Sequence, residues 1–353
     1  MNGTVEKVTH IAAGDNHSLA IRDGKLFAWG DNFSGQVAPT TTRSFNAPKR
    51  IGDRSDWHFV AAHGELSMGI AGGELWVWGR GASGQLGVGS DLGKTAPIRI
   101  GTRFDWQSVS IGKNHVLAIA GGKLFSWGHN FNKQIGAEGF VRAREPFQVG
   151  EDDGWTHVSA GTLNSAGIRD GRLYTWGANF KGSLGTGDRR ERSAPKEVGA
   201  GKGWIAISMA GDSSVGVRNG MLFAWGEIPK YVQMDTPPKN SGRKPTQVGS
   251  RPDWSSVYIK NERIVGLSNN CLFSWDKGFP PAERSAAVEA KDGSFRCSDH
   301  FDWEQISLGR HHLLATRNGN LFSCGTDTHG QLGLGLQINS SFISPVSLTK
   351  VSF

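Results

Sequence analysis

Apolar and polar side chains alternate in short runs along nearly the whole chain, and the runs return at fixed intervals. The clearest is Leu26-Phe27-Ala28-Trp29-Gly30, preceded by Asp23-Gly24. Its leucine recurs at Leu75, Leu124, Leu173, Leu222, Leu272 and Leu321, with gaps of 49, 49, 49, 49, 50 and 49 residues. A second alternating run stands before each copy, as in His17-Ser18-Leu19-Ala20-Ile21 and His115-Val116-Leu117-Ala118-Ile119. A period of two puts alternate side chains on one face of a strand. The dipeptides between the two runs are Asp-Gly, Gly-Gly, Asn-Gly or Asn-Asn, which tolerate positive φ at both centres of a type I′ hairpin turn.

Two further segments complete each repeat. The opening one starts at Trp57, Trp106, Trp155, Trp204, Trp254 or Trp303, and at Val8 in the first copy. The closing one starts with proline, as in Pro48-Lys49-Arg50-Ile51-Gly52 and Pro97-Ile98-Arg99-Ile100-Gly101. Proline lacks a ladder donor and is expected at the first residue or free edge of a strand. About four short strands per repeat match a propeller blade, which buries both faces only when packed between neighbours. The pattern therefore predicts an all-β, seven-bladed β-propeller within one domain spanning 1–353. Its repeats fall at approximately 5–52, 53–101, 102–150, 151–199, 200–249, 250–298 and 299–353. Trp29, Trp78, Trp127, Trp176, Trp225 and Trp275 are the expected blade anchors, each able to bury about 150–250 Å². Cys324 replaces the seventh, so the last blade should be less well filled.

Fifty glycines and 13 tryptophans suit many tight turns and one large apolar anchor per repeat. A net charge of +7 permits an anionic partner without demanding one. The start lacks the apolar run of a secretion signal, and no stretch approaches the length of a membrane span. The expected setting is therefore cytoplasmic, or within a virus particle, without a membrane partner. Cys271, Cys297 and Cys324 fit no zinc or CxxC spacing and are expected to be small buried residues.

Candidate chemistry is sparse. Gly93-Lys94-Thr95 resembles the end of a phosphate-cradling loop, but Val88 stands where the first glycine is needed and Pro97 follows instead of a helix. His17, His115 and His312 share one repeat position, where the other blades carry Leu66, Asn164, Ser213 and Arg263, so they read as turn-stabilising residues rather than metal ligands. No HExxH or GxSxG arrangement occurs, and carboxylates recur in no paired pattern. No catalytic residue, metal site, cofactor or small-molecule substrate is therefore expected, and the protein reads as a non-enzyme. Basic residues before the proline segments are answered by acids: in 183–194, three arginines against Asp188 and Glu191 leave +1. That favours a mixed solvated rim over a phosphate-tracking face, with nucleic acid the less favoured partner.

Ile11-Ala12-Ala13-Gly14-Asp15-Asn16-His17-Ser18-Leu19-Ala20-Ile21, the Leu-Phe-Ala-Trp-Gly run and the corner Gly84-Gln85-Leu86-Gly87 together resemble the repeat of the regulator-of-chromosome-condensation family. The resemblance spans nearly the whole chain and implies a seven-bladed propeller closed by a blade built from both chain ends. Compact repeats beginning Asp-Trp look more like bacterial and viral members, which implies a role as a structural subunit, virion component or protein-interaction scaffold. The family also implies two alternatives, chromatin or nucleic-acid binding and guanine-nucleotide exchange on a small GTPase. Exchange in that branch uses a protruding hairpin wedge, for which uniform 49-residue spacing leaves no room.

The repeat departs from its pattern after Trp225 and Trp275, where both corners are replaced. Such loops tolerate drift, and drift is one reading of the change; two neighbouring blades losing one element favours the other, a shared contact surface with Tyr231, Met234, Phe279 and Arg284 as candidate partner-binding residues.

Overall fold

The expected hairpins pair the second and third strands of every blade. In the first blade they run from His17 opposite Gly30 to Arg22 opposite Lys25, closed by Asp23 at φ 47° and Gly24 at φ 71°. A computed structural model describes residues 6–139, 141–230, 232, 242–275, 294–297, 300–335 and 349–353, without the side chains of 295 and 296. It contains seven four-stranded antiparallel sheets, each made of consecutive strands, and no helix among the described residues. The fold is a seven-bladed β-propeller. Blade 1 comprises Val8–Ala13, His17–Arg22, Lys25–Asp31 and Ser44–Arg50; blades 2 to 7 repeat this order.

The packing divides into two compact units. Residues 1–81, 92–106 and 302–353 form one, holding blades 1, 2 and 7; residues 82–91 and 107–301 form the other, holding blades 3 to 6. Within the first unit the chain ends meet without sharing a sheet. Blade 7 draws its four strands from Trp303–Lys350, and its flank packs on blade 1. Val8 N–H donates to the Gly319 carbonyl at 2.9 Å, Gln305 reaches the Thr9 carbonyl at 2.8 Å, and the Phe353 ring meets Phe27 at 5.0 Å. The blade built from both ends, implied by the family resemblance, is replaced here by side-to-side contact of two complete blades.

In blades 1 to 4 the fourth strand begins ahead of its proline, whereas in blade 5 it is Thr246–Gln247, directly after Pro245. Pro48, Pro97, Pro146 and Pro195 lie inside these strands, where the register slips between, for example, the Ala28–Lys49 and Gly30–Phe45 pairs. The slip is a bulge on the outermost strand, so the missing N–H costs no ladder bond.

The anchor tryptophans Trp29, Trp78, Trp127, Trp176 and Trp225 are fully buried, and Trp275 is nearly so. Four opening tryptophans, Trp57, Trp155, Trp204 and Trp254, lie against a glycine in the second strand: a Cβ on Gly69 would come within 2.6 Å of Trp57 Cζ3, and one on Gly167 within 2.6 Å of Trp155 Cζ3. Cys271, Cys297 and Cys324 are buried, and burial pushes the Cys324 thiol up to about 12.

Candidate interaction surface

Each blade is a simple up-and-down meander, so the loops joining strands one to two and three to four share one edge, and the hairpin turns and blade-to-blade connections share the other. The two edges are built differently.

The edge carrying the hairpin turns uses its cations internally. Arg169 stacks on Trp155 and Tyr174, at 5.4 and 4.6 Å from the ring centroids, and pairs with Asp152. Arg218 lies over Trp204, Arg251 over Phe273, and Arg317 over both Trp303 and Phe322. Arg54 bridges Asp56 and Glu74, whose carboxylates raise its already high pKa, while Asp56 is held below the usual carboxylate range by that guanidinium. Guanidinium groups stacked on rings and paired with carboxylates in this way serve the blades.

The opposite edge is organised by the corner between strands three and four. In blades 1, 3 and 4 it begins Asn-Phe: Asn32-Phe33, Asn130-Phe131 and Asn179-Phe180. The buried asparagine closes the loop from inside. Its Oδ1 accepts from Val37 and Ala38, from Ile135, or from Leu184, while its amide donates to loop carbonyls such as Ala38, Ala137 and Asp188. The next residue is turned outward: Phe33, Phe131 and Phe180 are 73, 75 and 57 % exposed. An exposed phenylalanine on a loop fixed by five or so hydrogen bonds is a rigid apolar projection.

The same corner locks onto the next blade. The Gln36 carbonyl accepts the Trp78 indole N–H and the Ser67 hydroxyl, each at 2.8 Å; Gln134 does so for Trp176 and Ser165. His17, His115 and His312 finish this network, with Nε2 at 2.8, 2.8 and 3.0 Å from Ser67, Ser165 and Ser18. Each serine gives its proton to a carbonyl, so the imidazole Nε2 must be the donor. The histidines are thus bolts between neighbouring blades within a unit, rather than local turn supports. The rings lie on Gly14, Gly112 and Gly309, where a side chain would overlap them. Among the described residues no group of three or more His, Cys, Asp or Glu side chains is placed to hold a metal ion.

Repeats of the description "Regulator of chromosome condensation (RCC1) repeat" match residues 72–119 and 170–217, and a second form of that repeat matches 8–36. The matched segments include the first hairpin and the network histidines His17 and His115. The chain carries RCC1 repeats. Human WBSCR16 superposes with a TM-score of 0.78 at 21% identity, covering 93% of this chain and 94% of that one. Yeast RCC1 (Prp20), solved with Kap60, gives 0.58 at 18% identity, covering 97% and 74%. The Prp20p structure from Saccharomyces cerevisiae described with its binding to Gsp1p and histones gives 0.58 at 18%, covering 97% and 76%. At these identities the likeness concerns the fold. No curated protein matches the chain.

Within this RCC1-repeat framework the candidate residues fall unevenly. The anchors Trp29, Trp78, Trp127, Trp176, Trp225 and Trp275 lie in the core. Tyr231, Met234, Phe279 and Arg284 lie outside the described residues. Val232, inside the first altered corner, is buried with Trp254 and Trp275, so that corner still supplies an apolar plug where blade 4 uses Leu184. The exposed phenylalanines were missed from sequence, although their recurrence at 33, 131 and 180 keeps the repeat spacing.

Proposed function

We propose that this chain is a non-enzymatic, rigid protein-interaction module or structural subunit of a larger assembly, a virion or phage particle among the settings that suit it. The observation that carries the reading is the contrast between its two edges. One consumes its arginines on its own tryptophans, whereas the other holds exposed phenylalanines on internally capped corners. Such corners offer contact area without an ordering cost on binding. The polar groups at the blade junctions are engaged with one another, which fits a scaffold better than a reaction site.

The second reading is nucleotide exchange or chromatin binding, favoured by the likeness to a yeast protein described as binding Gsp1p and histones. Native mass of the protein purified from its source, with identification of what accompanies it, separates these. Recovery in a stoichiometric protein complex supports the module. A bare 38.1 kDa chain that speeds nucleotide release from a GTPase, or binds DNA with steep salt dependence, supports the second reading instead.

A further inference from the structure

We infer that the corner edge of blades 3 and 4 is the docking surface, and that its occupant is an acidic, extended protein segment carrying apolar side chains. The inference rests on the interaction-module reading and narrows it to one place and one chemistry. Both blades belong to the same compact unit.

Apolar projection comes first. Phe131 and Phe180 occupy equivalent positions on adjacent blades, and Val141, 70 % exposed, leaves the same loop of blade 3. Phe131 is held from behind: its ring stacks on His129 at 6.1 Å with an interplanar angle of 22°, and its N–H points to His129 Nδ1 at 3.4 Å. One ring face is thereby fixed and the other left open.

Charge gives the partner its sign. On this edge Asp91 is neutralised by Arg142 and Arg144, Asp188 by Arg192, and Glu227 by Lys181, while Glu138, Glu145 and Glu191 stand in the same loops without an ion pair among the described residues. The arginine beside Asp91 holds its carboxyl below the usual range. Lys113, Lys133, Arg189 and Arg190 have no carboxylate within ion-pair distance among the described residues. The eight Lys and Arg side chains of blades 3 and 4 on this edge thus exceed its six carboxylates, Asp91 and Glu227 of the flanking blades included, by two around the Phe131 and Phe180 rings, which favours aspartate and glutamate interleaved with apolar side chains. Nucleic acid fits less well, because most of the arginines that would track phosphates are committed to the protein's own acids.

Backbone strain singles out the same spot. At the place filled by Gly35, Gly84, Gly182 and Gly330, all with positive φ between 75° and 84°, blade 3 carries Lys133 at φ 61°. A lysine in left-handed backbone is held there by the bonds Lys133 N–H to Asn130 carbonyl and Gly136 N–H to Lys133 carbonyl, each 3.1 Å. Every other described corner of this form uses the residue that suits the conformation, and this one gives it up for a cation beside the fixed phenylalanine.

The test is selection of a random twelve-residue peptide phage library on the full chain, followed by fluorescence anisotropy with the enriched peptides and a dodecathymidylate probe. Enriched peptides should carry several Asp or Glu residues with aromatic or aliphatic neighbours. F131S with F180S should weaken their binding at least ~10-fold. K133G should also weaken it while melting no lower than the unaltered chain, because glycine relieves the backbone. I205S, an exposed apolar change at the other edge of the same unit, should leave binding unchanged. Neutral enriched peptides, binding that survives F131S with F180S, or displacement by dodecathymidylate would each overturn the inference. If the protein's natural complex persists with both phenylalanines replaced, the module reading stands and only this surface fails.

Discussion

Replacing Asp327 by asparagine should stabilise the protein at neutral pH. Blade 7 repeats the corner of blades 1, 3 and 4, but the buried cap is a carboxylate, 3 % exposed. Oδ1 does what the asparagines do, accepting from Leu332 N–H at 2.7 Å. Oδ2 is buried without a hydrogen-bond partner among the described residues, whereas the Asn179 amide donates to the Asp188 and Arg190 carbonyls at 3.1 Å. Burial raises the Asp327 pKa, opposed by the bond from Leu332. The folded chain therefore favours the protonated acid, and the stability this confers is fully present below the ordinary carboxylate pKa and lost as pH rises through the higher folded value. Asparagine offers a donor at every pH. A buried polar atom left unsatisfied costs about 1–3 kcal/mol. Unfolding entropy of roughly 2.1 cal/mol/K per residue over 353 residues is about 0.7 kcal/mol/K, so the gain should be about 1–4 °C. Melting followed by circular dichroism at about pH 7.5 and about pH 4 reads it directly. The gain should be present at the higher pH and shrink at the lower, and N179D should show the reverse sign. A D327N protein that melts no higher at neutral pH, or gains equally at both, refutes the reasoning.

Burial, and then the neighbouring His58, lower the His10 pKa from 6.5 to about 4. The unfolded chain therefore takes up its proton first, and stability should fall as pH drops from about 6.5 to about 4; H10F should flatten that slope in denaturant titrations. W78F removes the indole donor from the Gln36 carbonyl and should lower stability by about 1 kcal/mol, measured as a shifted urea midpoint. A double-mutant cycle on His115 and Ser165, 2.8 Å apart and buried, should return a coupling of about 1 kcal/mol or more; independent effects would remove the bolt between blades 3 and 4. G69A brings a Cβ within 2.6 Å of Trp57 Cζ3 and should destabilise by about 1–3 kcal/mol.

The propeller is legible in the sequence because its determinants are local. Asp23-Gly24 and Asn269-Asn270 set positive-φ turns, and alternation assigns faces on either side of them. Proline placement was less legible: a bulge opposite Trp29 or Trp78 depends on how the outer strand pairs, which the proline alone does not state. The histidine bolts were hidden by distance, since Ser67 and Ser165 lie 50 residues from their histidines and Ser18 lies 294 from His312, although Ser18, Ser67, Ser165 and Ser214 recur in register. The corner edge was least legible. Phe131 and Phe27 are alike as letters, yet one projects into water and the other packs near Trp29, a difference made by the buried asparagine cap.

Hydrogen–deuterium exchange of the full chain, free and bound to the protein it co-purifies with, tests the central claim most directly. Protection is predicted at 129–134 and 178–190, with the hairpin turns at 121–122 and 170–171 unchanged. Protection confined to those turns, or none at the corners, would contradict the account.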